Sequence, residues 1–108
     1  MAGRSFVVIR TEKEALHCWP SCPFPEVSFL KDPHRHKFFI EVWVETTLDR
    51  EVEFIMLKTE VDQFLAGLGY DLGSTSCEVL AERLADRFNA SKVSVFEDNE
   101  NGAVYERI

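Results

Sequence analysis

The chain has 108 residues and a mass of 12.4 kDa, enough for one compact domain (residues 1–108) and too little for two. Hydrophobic residues make up 45% and charged ones 29%, with nine Phe and two Trp as bulky core material, so disorder is excluded. Nineteen acidic against twelve basic residues give a net charge of −7 and a pI near 4.9, which disfavours a nucleic-acid polymer or an anionic membrane as partner.

The N-terminal stretch Met1–Arg10 lacks the long apolar run of a signal peptide, and no segment approaches the roughly 20 apolar residues that span a bilayer. A soluble, cytoplasmic protein is expected. Ser5–Thr11 reads as a first strand around Phe6, Val7, Val8 and Ile9. From Glu12 to Pro33 the pattern breaks at Pro20, Pro23, Pro25 and Pro33, predicting a long ordered loop of the kind that carries function. His34–Thr47 is the clearest strand. It places His36, Phe38, Ile40, Val42 and Val44 on one face and Lys37, Phe39, Glu41, Trp43 and Glu45 on the other. Leu48–Arg50 reads as a turn into a further strand, Glu51–Lys58, forming a hairpin with it. A short helix follows, with Val61, Phe64, Leu65 and Leu68 at i, i+3, i+4 and i+7. A second helix is capped by Ser74, Thr75 or Ser76 and runs to about Asn89, with Leu80, Ala81, Leu84 and Phe88 as its stripe. Lys92–Glu97 and Gly102–Glu106 are short strands joined through 98–102, where Asn101-Gly102 favours a hairpin turn. The order predicts an α+β fold.

All three histidines lie within twenty residues: His17 in the loop, then His34 and His36 at the start of the long strand. Residues i and i+2 of a strand project to the same side, so His34 and His36 can present two imidazoles to one ion, with His17 as a third ligand. Three histidines with an open fourth position suit catalytic rather than structural zinc. A strand also carries two histidines as solvated or packed residues by chance. Cys18 and Cys22 admit a C-x3-C reading as part of a structural zinc site, or a reading as small buried loop residues; Cys77, in the first turn of the second helix, reads as packing.

Along the chain, several motifs resemble the 6-pyruvoyl-tetrahydropterin synthase and 6-carboxy-tetrahydropterin synthase family. Glu14-Ala15-Leu16-His17 is similar to the surroundings of that family's first zinc histidine, and His34-Arg35-His36-Lys37-Phe38 to its H-G-H-N-[YF] strand, with Arg35 for Gly. Glu53–Lys58 is similar to D-F-x-x-L-K, Ser76–Ala81 to T-x-E-x-L-A, and Val95-Phe96-Glu97 with Ala103-Val104-Tyr105 to the final V-x-E-T hairpin. The resemblance implies a ββααββ tunnelling fold, an antiparallel sheet with two helices on one face, closing with copies of itself into a β-barrel, by family habit a hexamer. It implies zinc (Zn2+) on His17, His34 and His36, and Glu97 as the anchor for a pterin-, purine- or queuosine-type deazapurine-like molecule. A carboxylate suits that task because it accepts two parallel hydrogen bonds from a 2-amino and ring N–H edge.

The chain departs from the family at its proton-transfer groups. Leu30 stands where the family has a Cys, and the Asp-His pair has no histidine here, with Asp71 as the remaining Asp. Cys22 and Asp71 are the candidate catalytic groups. The expected function is that of a zinc-binding, synthase-like protein without the ordinary acid-base pair. The rival readings are a non-catalytic module that sequesters a nucleotide-like ligand, and a structural homo-oligomer whose histidines hold loop to strand. Trp43, on a strand apolar on both faces, points to an interface; Trp19 can stack on a planar ligand.

Overall fold

The computed structural model describes residues 3–108; Met1 and Ala2, part of the stretch read for a leader, lie outside it. Its elements run β1 (Ser5–His17), a 3-10 segment (Pro25–Lys31), β2 (His34–Thr46), α1 (Phe54–Gly67), α2 (Cys77–Phe88), β3 (Lys92–Glu97) and β4 (Asn101–Glu106). The strands form one antiparallel sheet in chain order, β1-β2-β3-β4. The fold is α+β, as the sequence predicts.

The register puts Ile9, Val42, Val93 and Tyr105 in one row across the sheet, with Thr11, Ile40, Val95 and Ala103 in the next. That inner face meets Leu57, Val61 and Leu65 of α1 and Leu80, Ala81 and Leu84 of α2 in one continuous core. Burial of each large aliphatic or Phe side chain contributes about 1.5–3 kcal/mol, which is what holds the two helices to the sheet. Among the described residues no helix is long and apolar enough to cross a membrane.

Three sequence expectations need correction. The first strand does not stop at Thr11. Glu12, Lys13 and Glu14 interrupt the apolar alternation, yet β2 is long enough to pair with β1 as far as His17↔His34, and the ladder carries the charged residues along. The two glutamates find partners: Tyr70 donates to Glu14 at 2.8 Å, Arg35 lies 3.6 Å from it, and Lys37 Nζ lies 4.0 Å from Glu12. His17 therefore ends a strand rather than sitting in a loop, and only the middle of Glu12–Pro33 is irregular.

Glu51–Lys58 is not a strand. Its apolar run Phe54-Ile55-Met56-Leu57 lacks a strict two-residue period, and Glu53 decides the matter by accepting from the backbone N–H groups of Ile55 and Met56 as the N-cap of α1. The buried stripe is then Leu57, Val61 and Leu65, spaced four residues apart. The third correction concerns the last hairpin. Its turn is Asp98-Asn99, both left-handed with φ of 54° and 59°, closed by Glu100 N–H donating to Glu97 O at 2.9 Å. This is the primed geometry that matches strand twist, and Asp and Asn tolerate it. Asn101-Gly102 instead opens β4.

The second helix follows its reading closely. Ser76 Oγ accepts from Val79 N–H at 3.1 Å, and Asn89 ends the helix in the left-handed conformation at φ 52°.

Candidate metal centre

The site grows out of strand register. His17 pairs with His34 and Ala15 with His36, so the three imidazoles share the inner face at the end of the sheet. Ala15, opposite His36, is fully buried. Phe38 is the next inner-face residue and Glu97 its partner on β3, so the carboxylate lies one register step from His36. Phe38 packs edge-on to His17 and His36, with ring centroids 5.1 and 5.9 Å away, and separates the polar cluster from the core.

The histidine rings are 4.6, 5.0 and 5.4 Å apart, and one ring nitrogen of each lies within 4.8 Å of the others. Each Nδ1 is engaged by a different element. His17 Nδ1–H donates to Thr75 O at 2.9 Å, His34 Nδ1–H to Asp32 O at 2.8 Å, and His36 Nδ1–H to Asp98 Oδ2 at 2.7 Å. A carbonyl or carboxylate can only accept, so the proton of each neutral ring is on Nδ1 and the lone pair on Nε2. Outer partners of this kind orient metal-bound histidines.

His17 Nε2 is buried and has no hydrogen-bond partner. Glu97 Oε2 is only 3.0 Å from it, but the geometry is not that of a hydrogen bond, and the contact sets a lone pair against a carboxylate oxygen. Glu97 Oε1 lies 3.6 Å from His36 Nε2. A buried acceptor facing another acceptor is costly unless a proton or a metal cation sits between them. Three imidazole nitrogens with a carboxylate beside them are a donor set that zinc takes, so the residues fit the ion.

A pocket of about 550 Å³ opens over the cluster, bordered by Trp19, Leu30, His34, Cys77, Glu97 and Gly102. Its size suits a small planar molecule. A larger depression of about 860 Å³ is bordered by Arg10, Phe39, Glu41, Ser94 and Phe96 of the opposite sheet face; it holds no histidine or cysteine and is not where the chemistry gathers.

Electrostatics sharpen the site. Burial, then the charges of Glu97 and Glu78, push the Cys77 thiol up to about 12, so it stays protonated and donates to Glu97 Oε2 at 3.6 Å. The hydrogen bond from His36, then that from Lys37 N–H, holds the Asp98 carboxyl below its ordinary value. Asp98 thereby ties the hairpin tip to β2.

The structure thus brings His17, His34, His36 and Glu97 together. Cys22 is buried elsewhere in the loop, its thiol near Phe24 O and Val27 O, and Asp71 accepts from Gly73 N–H in a turn; neither borders the pocket. Cys18 borders it; Arg35, on the outer side of the strand, faces Glu14. Sequence reasoning missed Asp98, the carbonyls of Asp32 and Thr75, and the contact of Cys77 with Glu97. Only Asp98, adjacent to Glu97, had a signal: an Asp-Asn pair suited to a primed turn. No protein-family model and no curated protein matches this chain.

Proposed function

We propose that the chain is a zinc-binding protein of tunnelling-fold type, related to the 6-pyruvoyl-tetrahydropterin synthases, that takes a pterin-, deazapurine- or purine-like molecule in the pocket beside Glu97. The observation that carries the reading is His17 Nε2, buried without a partner while all three Nδ1 atoms are committed to fixed acceptors. The element order and the antiparallel sheet support the fold assignment. His17, His34 and His36 would hold the ion, which when bound supplies Lewis-acid polarisation of a substrate oxygen. Glu97 would accept from the amidine-like edge of the ligand, and Trp19 and Leu30 offer apolar surface to its ring.

A binding role without turnover is the second reading, and Leu30 favours it. An apolar side chain borders the pocket at the sequence position of the family's proton-transfer Cys, and the sole thiol beside Glu97 is held protonated. Proton transfer needs a group whose pKa lies near the working pH. The protomer would assemble through its open sheet edges into a ring, a hexamer in the tunnelling-fold pattern, in the cytoplasm.

Equilibrium dialysis against zinc tests the reading. The wild type should take up one ion per chain, and His34→Ala should lose at least a hundredfold in affinity. Zinc-loaded protein should then quench or enhance the fluorescence of neopterin. Equal zinc binding by His34→Ala would refute the triad.

A further inference from the structure

We propose that Glu97 is the fourth ligand of the ion, so that the resting site is closed and a molecule entering the pocket must draw this carboxylate away. The inference rests on the metal reading of His17, His34 and His36, and it gives Glu97 a second task besides anchoring.

The distances carry the argument. In a tetrahedral site with bonds of about 2.0–2.1 Å, donor atoms stand about 3.3 Å apart. Glu97 Oε2 is 3.0 Å from His17 Nε2 and Oε1 is 3.6 Å from His36 Nε2, so each oxygen of the carboxylate stands beside one histidine nitrogen at about that spacing. The contact with His17 is not a hydrogen bond, and between a neutral ring and the carboxylate a shared cation accounts for the approach, since it turns the repulsion of lone pairs into joint coordination.

The carboxylate is also placed rather than loose. Register opposite Phe38 sets its backbone, and the Cys77 thiol at the start of α2 donates to Oε2 at 3.6 Å. One negative charge on three neutral imidazoles lowers the net charge of a bound divalent ion to +1, which suits a site only partly open to water.

The consequence is a coupling between pocket and ion. A ligand edge with two parallel N–H donors satisfies both oxygens of Glu97 at once. Taking the carboxylate off the ion exposes the coordination position that the pocket overlooks. Ligands lacking such an edge leave the site shut, so Glu97 selects for ligand chemistry before the ion is reached.

Cobalt-loaded full-length protein reads this directly through its visible spectrum, with azide as the probe for an open position. The wild type should bind one cobalt per chain and show no spectral change with azide. Glu97→Ala should bind cobalt about tenfold or more weakly, no less than the loss of an outer partner costs, and its spectrum should shift on azide addition. Glu97→Gln, close to isosteric, guards against a folding artefact and should also admit azide. Azide uptake by the wild type, or an unchanged cobalt affinity and spectrum in Glu97→Ala, would overturn the fourth-ligand role while the three-histidine site stood. Absence of stoichiometric cobalt in the wild type would overturn both.

Discussion

At the scale of single residues, the site works by restricting protons. Three acceptors from three places in the chain, Asp32 O, Thr75 O and the Asp98 carboxylate, each hold one Nδ1–H and leave Nε2 bare. Elsewhere a single carboxylate shows how such hydrogen bonds enter stability. Glu41 lies below its ordinary value of 4.5, chiefly because Trp43 Nε1–H donates to it at 2.6 Å and then because Arg10 does so from the other side. A depressed folded pKa stabilises the fold above the unfolded value, and that contribution fades as pH falls through the folded value. Glu41→Gln should cost about 1 kcal/mol at neutral pH. The gap between variant and wild type should close as pH drops below 4.5, which urea titrations at several pH values would show. A gap independent of pH would mean that the charge of Glu41 is irrelevant.

At the scale of elements, the last hairpin is held by a close backbone approach. Gly102 pairs with Phe96, and a Cβ there would lie 2.0 Å from Val95 O and 2.5 Å from Phe96 Cα, both backbone atoms of the neighbouring strand. The glycine is needed for close approach. Gly102→Ala should force β4 away from β3 and cost about 1–3 kcal/mol or more, as overpacking does. Amide exchange should quicken across 101–106 while α1 stays protected; wild-type exchange in the variant would contradict the close approach. The first element shows the converse effect. Charged residues that break the strand pattern in Glu12–Glu14 are nevertheless strand because β2 offers thirteen residues of partner. Pairing outweighs local propensity there.

At the scale of the molecule, the sheet has one buried face and one half-buried face. Phe6, Val8, Phe39, Trp43 and Phe96 are all partly covered on the outer face, with Lys92 Nζ 3.9 Å above the Trp43 ring. The sheet edges are β4 and β1, the latter bridged at Leu16 by the Tyr70–Leu72 segment and otherwise without a neighbouring strand. If the protomer closes into a ring, native mass spectrometry should find a single symmetric oligomer that carries one zinc per chain. A dilution-independent monomer would remove the ring from the proposed function while leaving the metal centre standing.

The sequence by itself determined the α+β class, the long strand and its two faces, the second helix with its Ser and Asn ends, and the grouping of all the histidines. These are local: two-residue and 3.6-residue periods and caps act between near neighbours. It also pointed to Glu97, through a motif rather than through physics. Only the tertiary structure decided the rest. Whether Phe54-Ile55-Met56 is strand or helix depended on Glu53 capping it, and how far β1 runs depended on the length of its partner. The nearness of Glu97 to His17, eighty positions earlier in the chain, comes from β3 pairing with β2 while β1 pairs with its other edge. Contacts between such distant residues carry no periodic trace in the sequence, because they are set by which strands adjoin and in what register.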